Sequence, residues 1–175
     1  MSEDSHKGPE ALGLTEQIER LLGQLASACL KCYGERLVST VVFGSVGRGT
    51  PRPDSDVDVL IVAMDLPDGR LRRVAEFRSV EAAVAPVLEE LSATGCHMEL
   101  SPVFKTPAEL ARGTPLLLDL VDDARILYDR GNFFSATISR LRARLDQLHA
   151  RRIWKGDAWW WDLKPDFRVG EVFEL

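Results

Sequence analysis

Cysteine is scarce in this chain: Cys29, Cys32 and Cys96 are the only three in 175 residues. So small and odd a number excludes a disulfide framework and points to reduced thiols in a cytoplasmic setting. No run of about 18 uncharged apolar residues occurs, which excludes a membrane-spanning helix. The segment Met1 to Glu10 has no apolar stretch of the kind that drives secretion. An excess of positive charge is also missing, since 22 Lys and Arg stand against 27 Asp and Glu, a net charge of −5. That balance argues against a general nucleic-acid coat, though not against a local basic patch. Internal repeats and low-complexity tracts are absent as well. What is there is a chain with 45% hydrophobic residues, enough for one domain with a substantial core and an appendage.

The Cys29–Cys32 spacing invites a zinc reading. Zinc would need two further ligands, and the nearest candidates, Cys96 and His97, are neighbours in a predicted strand. Neighbours on a strand point to opposite faces, so both could hardly reach one metal. Cys29 and Cys32 are read instead as small core residues on a helix stripe.

That stripe is Leu14, Ile18, Leu21, Leu22, Leu25, Cys29 and Cys32, with Thr15 as the expected N-cap and Gly34 as the stop. Leu37 to Phe43 is β-branched and apolar, the pattern of a buried strand. Gly44 to Pro53 is dense in glycine and proline and reads as a loop. Asp56 to Val62 reads as a second strand. Leu71 to Leu91 carries helical spacing, with Pro86 expected to kink or break it. Cys96 to Phe104 reads as a third strand, confined to an edge by Pro102. Thr106-Pro107-Ala108-Glu109 is a capping box with proline at the first helical position. Thr114-Pro115 starts a further helix, Ala124 to Tyr128 a short strand or turn, and Phe134 to Leu148 a last amphipathic helix. The final segment holds all four tryptophans and fits no period. Strands alternating with helices give an α/β (α+β) class, a small mixed β-sheet flanked by helices.

The chemistry concentrates between Val41 and Val62. A buried strand ends at Gly44-Ser45. Gly44 lets backbone approach a ligand, Ser45 offers an N–H and a hydroxyl, and exposed amides after a strand suit phosphate. Arg48 adds a positive charge beside them, and Gly47 and Gly49 permit tight turning. Asp56 and Asp58 follow at i and i+2 at the start of a strand, so their carboxylates project from one face. Two such neighbours repel unless a cation lies between them, and hard oxygen ligands suit Mg²⁺ (or Mn²⁺).

Gly44-Ser45, Arg48-Gly49 and Asp56-Val57-Asp58 together resemble the motif of the nucleotidyltransferase superfamily that includes DNA polymerase beta, and most of all its minimal prokaryotic members. The resemblance spans Leu37 to Tyr128. It implies that a nucleoside triphosphate, ATP foremost, binds at the Gly44-Ser45 turn with Arg48. It also implies that paired carboxylates hold divalent metal while an acceptor hydroxyl attacks the α-phosphorus and pyrophosphate leaves. The family uses a third acid on a neighbouring strand. Glu99, sharing a face with His97 and Ser101, is the candidate, which makes Asp56, Asp58 and Glu99 the expected catalytic and metal-binding set. Asp119, Asp122 and Asp123 compete for that role but fall on a helix read as solvated.

The resemblance leaves the acceptor open among protein, RNA and small molecule, and implies either a helical partner protein or a homodimer. A non-catalytic, antitoxin-like nucleotide-binding protein is the alternative on the same fold. The expected organisation is a flexible tail at 1–13, a nucleotidyltransferase domain at 14–130, and a C-terminal helix and aromatic tail at 131–175, packed on the domain or on a partner. Arg130, Arg140, Arg142, Arg144, Arg151, Arg152 and Lys155 make that region basic. This suits either a solvated helix face or a polyanionic acceptor. The tryptophans suit a latch over an apolar groove better than base stacking.

Overall fold

The computed structural model describes residues 13–156, 158–168 and 170–174. The tail expected at residues 1–13 lies, but for Gly13, outside the described residues. Helix α1 runs Leu14–Tyr33 and ends on Gly34. It begins one residue before the expected Thr15 cap, with Gln17 N–H donating to the Gly13 carbonyl at 3.0 Å. Its buried stripe includes Cys29, whose thiol is pushed up to about 12 by burial. Strand β1, Leu37–Phe43, is buried at every position and occupies the interior of the sheet.

After β1 come the one-turn helix α2 (Gly44–Gly47), strand β2 (Val57–Ala63), helix α3 (Arg70–Ala93) and strand β3 (Leu100–Lys105). Helices α4 (Pro107–Ala111) and α5 (Leu116–Asp123), strand β4 (Arg125–Asp129) and helix α6 (Phe133–Gln147) complete the main body. The four-stranded sheet has the order β3-β2-β1-β4. β1 pairs antiparallel with β2 and β4, whereas β2 and β3 are parallel. One sheet face, with Val57, Val59 and Ile61, packs on α1 and α3. The other, with Val41, Phe43, Leu60 and Val62, packs on α4, α5 and α6.

Three expectations are corrected. Pro86 does not break α3, which continues through it. Pro86 and Ala82 are exposed, so water can take the carbonyl left without a donor, while buried Val80, Val84, Val87 and Leu91 hold both halves on the sheet. The third strand starts at Leu100 and not at Cys96, because β2 begins at Val57, the register partner of Leu100, and offers no ladder before it. The final segment is not aperiodic: β5 (Arg151–Lys155) and β6 (Ala158–Asp162) form a hairpin in which Lys155 pairs with Ala158. Gly156, next after Lys155, has φ 61°, a left-handed conformation that tight hairpin turns use.

Proline at the first position of α4 and the capping box act as read: Thr106 Oγ1 accepts from Glu109 N–H, and Glu109 accepts from Thr106 N–H. The Glu109 carboxylate also receives a fork from Arg73 at 2.8 and 2.9 Å, tying α4 to α3. Asp129 at the end of β4 accepts from Phe134 N–H, Ser135 N–H and buried Ser39, which caps α6 from a distance.

The hairpin is anchored to the main body. Trp161 Nε1 donates to the Leu118 carbonyl at 3.2 Å. The Arg152 guanidinium stacks on the rings of Trp159 and Trp154, 3.9 and 4.8 Å from their centroids. Ending the chain after Lys155 removes the Trp159 and Trp161 contacts, together about 2 kcal/mol. Thermal melts of the shortened protein are expected to fall by roughly 4–8 °C. An unchanged melting temperature and mass would mean that the hairpin stabilises nothing.

Candidate active site

β1 delivers the chain to Gly44, and Phe43 pairs in register with Asp58. The paired residues share a face, so the Asp58 carboxylate comes to the mouth of the Gly44 turn. Gly44 has φ 67°, and a Cβ placed on it would stand 2.5 Å from Asp58 Oδ2. No other residue gives both that backbone conformation and that approach. Ser45 Oγ donates to Ser55 Oγ at 3.0 Å, and Ser55 Oγ also accepts from Arg52 N–H at 2.9 Å. Thr50 N–H closes the loop on the Ser45 carbonyl at 2.9 Å. Ser45 thus braces the loop as well as bordering the turn.

Asp58 is half-buried and Asp56 exposed. Burial pushes the Asp58 carboxyl up, and the charge of Asp56 adds to this. The hydroxyl of Ser101 and the charge of Arg48 pull it partly back. A carboxyl raised on folding favours the native state when protonated. Its contribution is therefore fully present below its unfolded pKa and is lost as pH rises through the folded value. Without metal, Asp58→Asn is expected to raise the melting temperature at pH 7, with a gain that shrinks toward pH 4. Glu109 has the opposite sign: Arg73 holds it down at about 2, so its contribution is full at neutral pH and is lost progressively as pH falls from about 4.5 toward about 2. Parallel melts of Asp58→Asn and Glu109→Gln across pH 3–7 check both directions.

The three-carboxylate set is not gathered. Among the described residues no group of three or more His, Cys, Asp or Glu is arranged to hold a metal ion. Asp58 pairs with Ser101 and Val57 with Leu100, so a hydroxyl stands beside Asp58, and Glu99 falls one position before the ladder. Glu99 precedes the strand and is exposed, with its carbonyl taken by Val57 N–H at 2.8 Å. Asp56 likewise stands just before β2, not within it.

Arg48 is not a free cation. Its Nη1 donates to Asp123 Oδ2 at 2.6 Å. Asp123, expected on a solvated face, is only 4% exposed. Burial opposes its ionisation, but hydrogen bonds from Arg152 and Arg48 overcome this and hold the carboxyl below its ordinary value. The signal was present in the sequence: Leu117, Leu120 and Asp123 share one helical stripe, so an acid sat on an apolar face. Gly47 was read as a turn former, but its role is contact. A Cβ there would overlap the Asp123 carbonyl oxygen and stand 2.9 Å from that of Val42. Two of the seven basic residues of the C-terminal region spend their charge on α5: Arg142 pairs with Asp122 and bonds the Val121 carbonyl, and Arg152 pairs with Asp122 and Asp123.

Two cavities flank this region. One of about 510 Å³ runs beside β3 and includes Ser101, Arg70, Arg73 and Lys105. A more apolar one of about 740 Å³ lies between α4, α5 and α6, away from the carboxylates. No helix among the described residues is long and apolar enough to cross a membrane.

The sequence model of a family described as a nucleotidyltransferase domain matches residues 23–117. A curated protein of Methanocaldococcus jannaschii named "Putative protein adenylyltransferase" is 30% identical over 135 residues, covering 76% of this chain and 86% of its own. Spectinomycin adenyltransferase from Enterococcus faecialis, solved with ATP and spectinomycin, is similar in fold. That match has a TM-score of 0.51 at 12% identity and covers 75% of this chain and 66% of its own. A chain of the Shewanella oneidensis complex of tri-AMPylated HEPN toxin with MNT antitoxin matches at 17% identity, over 75% of this chain and 92% of its own. Its TM-score of 0.37 is too low for any residue to be placed by it.

Proposed function

The chain belongs to the nucleotidyltransferase domain family, and from that premise we propose that it transfers AMP from ATP to a hydroxyl of a protein acceptor, with a divalent cation at Asp56 and Asp58. Nucleotidyl transfer is the family's reaction. The choice of adenylyl group and protein acceptor follows the name of the M. jannaschii relative. The observation that carries the reading is the approach of Asp58 to Gly44. A half-buried carboxylate, with a second one two residues earlier, lies against Gly44, which has no side chain, at the end of β1.

The donors fit a hard cation. Two carboxylates and the Ser101 hydroxyl are all oxygen ligands, and the cost of crowding Asp56 and Asp58 falls when a cation shares them. Asp56 and Asp58 would hold the ion, and Ser101 orients Asp58. When bound, the cation neutralises charge on the phosphates and steadies the departing pyrophosphate. Gly44 keeps the turn open to the phosphates, and Ser45 fixes the loop through Ser55. The acceptor oxygen forms the new bond to the α-phosphorus, the bond from that phosphorus to the bridging oxygen breaks to release pyrophosphate, and the acceptor's proton passes to solvent water.

The test is incubation with ATP labelled at the α-phosphate, Mg²⁺ or Mn²⁺, and extract of the source cells. Label on protein is expected. Label on RNA or a small molecule would replace the acceptor, and no transfer from any of the four nucleoside triphosphates would overturn the reading.

A further inference from the structure

Asp123 receives three hydrogen bonds from two guanidinium groups. Arg48 Nη1 donates to Oδ2 at 2.6 Å, while Arg152 donates from Nη1 to Oδ1 at 2.8 Å and from Nη2 to Oδ2 at 3.0 Å. The two arginines differ in freedom. The Arg152 side chain is 10% exposed and stacked on Trp159 and Trp154, so it is fixed. Arg48 is 35% exposed, follows directly after the Gly44–Gly47 turn, and acts on the charge of Asp58.

A buried carboxylate left without its cation is costly, because nothing replaces its lost hydration. With Arg48 alone, Asp123 would hold that side chain away from any ligand. The Arg152 fork already supplies a donor to each Asp123 oxygen, and bidentate pairs are the strong ones. Departure of Arg48 then leaves Asp123 paired.

We propose that Arg152 is a positioning residue for nucleotide binding: by holding Asp123 on its own, it frees Arg48 to leave that carboxylate for the triphosphate. The proposal rests on the nucleotide reading above. It also gives the C-terminal hairpin, which lies beyond the matched residues 23–117, a part in the site.

Calorimetric titration with a non-hydrolysable ATP analogue and Mg²⁺ tests this in wild type, Arg48→Ala, Arg152→Ala, Asp123→Asn and two double variants. Arg152→Ala is expected to weaken binding about tenfold, a coupling typical of residues in one network. Adding Arg152→Ala to Arg48→Ala should cost nothing further. Adding Asp123→Asn to Arg152→Ala should restore affinity to within about threefold of wild type, because the neutral side chain no longer captures Arg48. A purely structural role predicts the reverse, a second lesion that deepens the first. Asp123→Asn alone should bind at least as tightly as wild type, which keeps the test decisive should Arg152→Ala fail to fold. Wild-type binding that is unaltered in Arg152→Ala, or weakened further in the double variant with Asp123→Asn, overturns this proposal alone. A wild-type protein that binds no nucleoside triphosphate overturns the nucleotide reading itself.

Discussion

Asp56→Asn and Asp58→Asn proteins are expected to remain folded and to lose AMP transfer by about a thousandfold, equivalent to about 4 kcal/mol of transition-state stabilisation. Each substitution removes a full negative charge from the pair that would hold the cation, and an amide oxygen is a poor substitute for a carboxylate there. The two differ in what else they change. Asp56 is exposed, so its loss leaves packing untouched. Asp58 is half-buried, so Asp58→Asn also relieves the burial cost and melts higher without metal. Glu99→Gln is expected to lose far less, because Glu99 lies outside β3 and a hydroxyl stands opposite Asp58. Transfer of α-phosphate label, with melting curves for each variant, measures all three. Full activity in both Asp variants would remove the proposed centre.

Gly47→Ala is expected to destabilise the protein by about 3 kcal/mol, as overpacking against backbone does, which lowers the melting temperature by roughly 10 °C. The added methyl meets the carbonyls of Asp123 and Val42, and neither carbonyl can turn aside without moving α5 or β1. Gly44→Ala strikes differently. Its methyl meets the movable Asp58 carboxylate at 2.5 Å, and its left-handed backbone adds about 1 kcal/mol. It should melt closer to wild type yet bind nucleotide and metal poorly. Gly44→Val adds bulk to the same strained position, so a fold left fully intact is not expected of it. A Gly47→Ala protein that melts like wild type would show that α5 does not press on the turn.

Local pattern carried a large part of this protein. Six β-branched or apolar positions in a run of seven announced β1, because a strand buried on both faces has little polar side to show. The capping box announced α4 because its hydrogen bonds lie within four residues. The Gly44-Ser45 and Asp56-Asp58 spacing announced the site because the chain itself brings a strand end and the next strand start together. The C-terminal hairpin was legible too, in Gly156-Asp157 between Ile153-Trp154 and Trp159-Trp160-Trp161.

The sequence by itself determined where the carboxylate pair and the open turn lie, since both are set by contiguous residues and by strand period. Tertiary structure decided which side chains join them. The parallel register of β2 with β3 placed Ser101, and not Glu99, beside Asp58, and a register cannot be read from either strand alone. Packing of α5 across the sheet buried Asp123, turned it to Arg48, and brought Arg152 from 29 residues further along the chain to share its charge. Ion pairs at such separations are fixed by burial and not by spacing: a carboxylate excluded from water takes whatever cation the fold brings within reach.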